Sequence, residues 1–327
     1  MKHIATIILF ALCATKMFAQ RAEIVEIQLL LPPETVIDFG TDDKNIAIVA
    51  VHYQRNASTH TTEELLLDSL LVNAIANGIK ERLGNSPIFE DFDIPIYNLY
   101  SDTTMIGSGM PKEELDAISE QSGAKIVAAI EYVYLKSDTN KIWEIVSFYV
   151  TINTYDVQTG ANVKRYTRKN YIRFLKDYDE IKFYLAKPDS DGLRRRRAKA
   201  IGRDYAKRIA PTWEIAKRMI FCDRKNSNFK KAYKSAIEEQ DWETAVEYWT
   251  DALSDEKIKD LKKAQAMYNL ALACEMLENF DLSLKWLEKA KDLKTKINNS
   301  VEEYETVLKL RIKDKEKLDE IFNKNKF

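Results

Sequence analysis

Apolar residues along the chain change their spacing several times, and each change predicts a new element. Ala22 to Leu31 and Lys44 to Gln54 are strand-like, and the unbroken run Ile46–Val51, "IAIVAV", has the look of a central strand buried on both faces. Leu67, Leu71, Ile75, Ile79 and Leu83 then recur every four residues, with Leu66 and Leu70 beside them, which predicts a long amphipathic helix. Thr61 and Glu64 form a capping box at its start, and Gly84 ends it. Ile88 to Tyr97 reads as an edge strand interrupted by Pro95, and Pro111 opens a helix that closes at Gly123. "AKIVAAIEYVYL" is a second buried strand. Ile142, Val146, Phe148, Val150 and Ile152 share one face of a long strand, and the turn Tyr155–Gly160, "YDVQTG", leads back through Ala161 to Phe174 as a hairpin. The order β-β-α-β-α-β-β-β predicts a mixed sheet with helices packed on one face.

From Asp191 the strand signals stop. Pro211 breaks a first helix, and Trp213 is expected to start another that packs through Ile215, Met219 and Ile220. Trp242, Ala245, Trp249 and Ala252 are matched 38 residues later by Phe280, Ser283, Leu287 and Ala290. This large-small-large-small series is the second-helix signature of a tetratricopeptide repeat. Leu270-Ala271 supplies the large-small pair of the repeat's first helix, whereas the earlier copy has Ala232-Tyr233, where Tyr departs from the pattern. A last helix, from Ile297 to Phe322, would cap the stack. The expected fold class is α+β, with an α/β domain over 20–190 and a helical, repeat-like domain over 191–327.

The first nineteen residues read differently. Lys2 precedes an apolar run, Ile4 to Leu12, that is too short to span a bilayer but fits a secretory signal. Cleavage after Ala19 is the favoured expectation, and lipidation of Cys13 is the alternative, with bulky Leu12 against it. With 3 His and 3 Cys in the chain, neither a His-rich nor a Cys-rich metal site nor a disulfide framework is expected, and no motif points to a cofactor.

Charge is balanced overall but segregated. Residues 20–160 carry a net −13, 161–234 a net +15 and 235–327 a net −5. The acidic and basic blocks are expected to face each other or to meet partners of opposite sign. The sharpest feature is Arg194-Arg195-Arg196-Arg197, followed by Lys199, Arg203, Lys207 and Arg208. Four consecutive helical residues cannot share one face, so at least one must approach its own protein, with an acidic group of the N-terminal half as the expected partner. Arg195 and Arg196 are the candidate contacts to an anionic partner such as lipid or lipopolysaccharide headgroups. Nucleic acid suits the charge but not the compartment.

Other candidates read as structural. His52 and His60 lack metalloprotease spacing. Cys274 falls on a core position, and a disulfide to Cys222 is the alternative in an oxidising compartment. Gly107–Gly109 lacks the phosphate-loop Lys, and Asp91 and Asp93 alternate onto one exposed strand face. Asn56-Ala57-Ser58 is a weak glycosylation match. By repeat position, Gln265, Tyr268, Leu272 and Glu275 would line a partner-binding groove.

The N-terminal half loosely resembles the α/β domain of envelope lipoproteins such as the curli secretion channel and the activators of penicillin-binding proteins. The whole chain resembles a family of Bacteroidota envelope proteins. The shared features are "CAT" in the signal, "LLPPE" before "IAIVAV", "NSPIF", "YDVQTG", "IAPTW" and "DWETAVEYW". The resemblance implies an exported α/β-plus-repeat protein, often a lipoprotein. The expected function is therefore a non-enzymatic interaction or assembly role in the cell envelope, periplasmic or outer-membrane associated, with a protein or peptide partner. The alternative is a carboxylate-based hydrolase or glycan-processing enzyme whose Trp residues stack sugars.

Overall fold

The computed structural model describes residues 21–39, 46–53, 62–90, 92–101, 109–139, 143–175 and 190–324. The signal segment with Cys13, the cap at Thr61, His60, Asp91, the glycosylation match and Gly107-Ser108 lie outside them. The chain divides into two compact units, one made of Leu30–Trp213 with Leu318–Phe327, the other of Met1–Leu29 with Glu214–Lys317. The boundary expected at 190 thus falls after Trp213, and the first strand joins the helical unit.

In the first unit, β2 (Ile46–Tyr53) pairs in parallel with β3 (Ile96–Ser101) and with β4 (Ile126–Thr139). β5 (Trp143–Asp156) and β6 (Asn162–Leu175) continue antiparallel from β4, giving the order β3-β2-β4-β5-β6. The hairpin forms as its residues predict. Asp156 Oδ1 accepts from Thr159 N at 2.8 Å, and Gly160 takes a φ of 69°, which suits a residue without Cβ. α1 (Thr62–Gly84) buries Leu71, Ile75, Ile79 and Leu83 with Ile46, Ile48, Ala128 and Phe148. α3 (Ser190–Lys207) adds Ala198, Ile201 and Tyr205 to that layer. α2 (Lys112–Ser122) packs Leu115 and Ile118 on the opposite face, over Ala47, Val49, Val127 and Ala129. Two of the three helices lie on one face as expected. The third is required because β2 is apolar throughout Ile46–Val51 and needs cover on both sides.

Three local expectations change. Pro87–Phe89 is a short 3-10 turn, and the strand begins only after Pro95, whose ring nitrogen cannot donate to a ladder. Asp93 is consequently off any strand and pairs with Lys80 at 2.5 Å. The basic helix α3 belongs to the sheet unit, since its apolar stripe, hidden in the sequence among cations, completes the core.

α1 and α3 touch backbone to backbone. A Cβ placed on Gly78 would lie 2.2 Å from the Lys199 carbonyl oxygen, and one on Gly202 would lie 2.1 Å from that of Ile75. No rotamer relieves such a contact. Gly202→Ala gains about 1 kcal/mol of helix propensity, but forcing the helices apart costs more. We expect a net loss of about 1–3 kcal/mol, typical of overpacking. Thermal unfolding of the variant checks this, and an unchanged or raised midpoint refutes it.

In the second unit, β1 (Arg21–Leu31) and β7 (Thr212–Cys222) form a two-stranded sheet. The segment after Pro211 is therefore a strand and not the expected helix. Ile215 is exposed and Ile220 buried within it. Its apolar positions fit a two-residue period as readily as a helical one. The helices follow as α4 (Ser227–Tyr233) with a π turn at Lys234–Glu238, α5 (Trp242–Leu253), α6 (Asp260–Met276), α7 (Phe280–Asp292) and α8 (Asn298–Lys324).

The 38-residue correspondence extends to the burial pattern. Ala245, Trp249 and Ala252 are buried, as are Ser283, Leu287 and Ala290, while Trp242 and Phe280 are half-buried. It also reaches the turns. Gln240 and Glu278 adopt φ of 55° and 56°, and Asp241 and Asn279 cap the helices by accepting from Thr244 N and Leu282 N. The π turn inserts one residue upstream: Asp241 N reaches Ser235 O, whereas Asn279 N reaches Cys274 O, one residue nearer. This shift puts fully buried Ala232, not Tyr233, at the position of Ala271, so the departure seen in the sequence disappears.

Candidate functional site

The groove expected in the repeat is filled by its own unit. Gln265, Tyr268, Leu272 and Glu275 are all buried, so they cannot meet a partner in this structure. Arg218 of β7 grips the Glu275 carboxylate with Nε at 3.0 Å and Nη2 at 2.7 Å, and the Tyr304 hydroxyl of α8 donates to it at 2.6 Å. The Tyr268 ring packs against Phe221 at 5.1 Å and Tyr304 at 4.9 Å. Next to it, Asn269 donates to Phe221 O at 2.7 Å and accepts from Phe221 N at 2.9 Å, completing the backbone bonding of that strand residue. Burial, with the Glu275 charge adding to it, pushes the Tyr304 phenol well above its ordinary pKa. These are structural groups. The signal for them was Glu275 itself, a carboxylate inside the apolar run "LALACEM", which requires a cationic partner once buried.

Other singled-out side chains are also structural. His52 is buried, with Nε2 bonded to Asn98 at 2.9 Å and its ring stacked on Tyr100. Glu131 is a buried carboxylate that accepts from Asn153 Nδ2 at 2.5 Å and from the Tyr155 hydroxyl. Burial, followed by that hydrogen bond, pushes Tyr155 up to about 12. Among the described residues no group of three or more His, Cys, Asp and Glu is placed to hold a metal ion. Cys222 and Cys274 are free thiols, and burial pushes Cys274 up to about 11. In the native protein an alkylating reagent near neutral pH should therefore modify half-buried Cys222 well before Cys274. Peptide mapping reads the order, and faster labelling of Cys274 would contradict its burial.

An open depression of about 700 Å³ lies where α1 and α3 run together, lined by Ala74, Asn77, Lys80, Glu81, Gly192, Arg195, Arg196 and Lys199. The close approach at Gly78 and Gly202 brings the two helices to this spacing. Several cations of the basic helix and the residue after it are committed. Lys199 binds Glu81 at 2.5 Å, Arg203 binds the same carboxylate, and Arg208 binds Glu34 at 2.7 Å. Lys199 foremost, and Arg203 with it, hold Glu81 below the usual carboxylate range against slight desolvation. Acidic and basic sequence blocks therefore do meet inside this unit. Arg194 is the arginine of the run that turns inward, and it pairs with Asp191, one turn back on its own helix, at 3.2 Å. Arg195 and Arg196 are exposed and have no carboxylate partner among the described residues.

Comparison with solved structures finds limited likeness. The PelC dodecamer from Paraburkholderia phytofirmans is 14% identical, over 57% of this chain and 99% of that one, with a TM-score of 0.26. A neuraminyllactose-binding hemagglutinin homolog from Helicobacter pylori is 9% identical, over 51% of this chain and 80% of its own, at 0.25. The hypothetical protein CT253 from Chlamydia trachomatis is 16% identical, over 50% of this chain and 96% of its own, at 0.27. No curated protein matches the sequence. Residues 230–310, within the helical unit, match a domain of unknown function, DUF6340. Residues 43–221, more than half of the chain and all of the five-stranded sheet, match a second domain of unknown function, DUF8603, and the chain belongs to that family.

Proposed function

We propose that this protein is exported to the bacterial cell envelope and works there by binding, without catalysis, through an anionic group held at the α1–α3 depression. The observation that carries this reading is the pair Arg195 and Arg196, exposed and without carboxylate partners among the described residues, beside a depression whose other cations are already paired. Two adjacent guanidiniums offer several donors to an oxyanion, and a phosphate suits their planar geometry. The helical hairpins, repeat-like in spacing, supply a scaffold for a protein or peptide partner on a surface other than the filled groove. Export rests on the charged-then-apolar start of the chain.

Co-sedimentation with vesicles containing an anionic phospholipid tests the site. Arg195→Gln with Arg196→Gln should barely change folding, because both side chains are exposed and surface substitutions away from packed groups shift stability by about 0.5 kcal/mol or less. The double variant should weaken vesicle binding about tenfold, and added salt should weaken the native protein similarly. Binding that survives both the double variant and molar-range salt refutes an electrostatic role. N-terminal sequencing of protein recovered from cells should begin at Gln20. An intact Met1 refutes export, whereas an acylated Cys13 would make the protein lipid-anchored.

A further inference from the structure

β6 is the last strand in the described sheet and pairs along its 14 residues with β5. Its side chains include Lys164, Arg165, Arg168, Lys169 and Arg173 and no carboxylate. By alternation, Lys164 and Arg168 lie on one face of the sheet and Arg165 and Lys169 on the other, so both faces of this edge are cationic. Lys164 donates to Thr35 Oγ1 at 2.7 Å, and Lys169 sits 5.1 Å over the Tyr149 ring. Arg165, Arg168 and Lys169 are exposed, and none has a carboxylate partner among the described residues. One backbone amide is already taken within the strand, since Tyr171 N donates to Asn170 Oδ1 at 2.8 Å.

We infer that β6 accepts an acidic, extended segment of another protein as a sixth strand of this sheet. An edge strand presents backbone donors and acceptors that a polypeptide can match and that no other polymer reproduces. The charge selects among polypeptides. A second copy of this chain would lay an identical row of cations beside this one, and that repulsion is the usual guard against edge-to-edge self-association. A strand with carboxylates on both of its faces meets the opposite sign on both faces of β6. The edge is thus closed to its own kind and open to an acidic partner. This surface is separate from the depression beside Arg195, so either reading can fail alone.

Full-length protein and three labelled peptides long enough to span β6 test this: one of alternating Glu-Glu and Val-Val pairs, one with Lys in place of Glu, and the Glu peptide with alternate backbone amides methylated. The Glu peptide should bind and slow hydrogen exchange in β6 about tenfold or more, and the other two should not. Lys169→Gln with Arg165→Gln should weaken the Glu peptide several-fold while leaving vesicle binding at Arg195 unchanged. Equal binding of the methylated peptide would show charge attraction without strand addition and overturn the inference. So would binding without protection of β6, absence of binding, or β6 edge amides already slow to exchange in the free protein.

Discussion

Glu275→Ala should destabilise the helical unit by about 3–5 kcal/mol, the range for removing one partner of a buried ion pair. The Glu275 side chain is wholly buried and that of Arg218 nearly so. Without the carboxylate, the guanidinium keeps its desolvation cost and loses two hydrogen bonds, and the Tyr304 hydroxyl loses its acceptor. The sign of the effect separates a pair that stabilises from one that is merely expensive to break. Arg218→Met combined with Glu275→Leu removes both charges at similar volume and should recover most of the loss. Because the chain has two units, a single unfolding midpoint can mislead. Hydrogen exchange of the α6 amides reads the relevant unit directly. A Glu275→Ala variant whose α6 exchange matches the native protein would show the pair to be dispensable.

Trp249→Ala should cost a comparable 3–5 kcal/mol, for a different reason. Trp249 is among the largest fully buried side chains and sits on α5 between Ala245 and Ala252, which leave it room. Truncation removes its apolar burial and leaves a cavity that rigid neighbouring helices fill poorly. Its indole Nε1 has no hydrogen-bond partner among the described residues. Trp249→Phe should therefore cost far less, since it removes an unsatisfied donor along with part of the ring. Urea unfolding followed at a helical signal, with both variants in the full-length chain, measures the difference. Equal losses for Phe and Ala would mean that a phenyl ring recovers none of the packing at this site. No loss for Ala would mean that Trp249 is not in a packed core. Residues before Asn226 are needed in such a test, because β1 and β7 form part of the same unit.

The expectations that failed share a cause. The segment after Pro211 carries apolar residues at Ile215, Met219 and Ile220, a spacing that a helix or a strand can use. What makes it a strand is β1, which lies near the start of the chain, and a local pattern contains no trace of a partner so distant. The groove residues failed similarly. Repeat position tells which face of α6 turns inward, but not that Arg218, Phe221 and Tyr304 arrive to fill the concavity. In the candidate site, the run of four arginines and the need for one to turn inward were legible from helix geometry alone. That Arg194 pairs with Asp191, and that Lys199, Arg203 and Arg208 beyond the run pair with Glu81 and Glu34, depended on where the fold places those carboxylates.

Several short-range features were determined by the sequence alone. These are the four-residue stripe of α1, the Asp156–Gly160 turn and the 38-residue correspondence of the two helix pairs. Each is a short-range matter of backbone dihedrals and side-chain period, and each is complete in its own stretch of chain. Only the tertiary structure decided that the basic helix seals a sheet, that Gly78 and Gly202 let two helices touch, that a π turn restores Ala232 to its place, and that Glu275 is buried against an arginine. Burial, close approach and charge pairing are properties of at least two elements at once. A one-dimensional pattern states which face of each element is apolar and leaves open what will cover it.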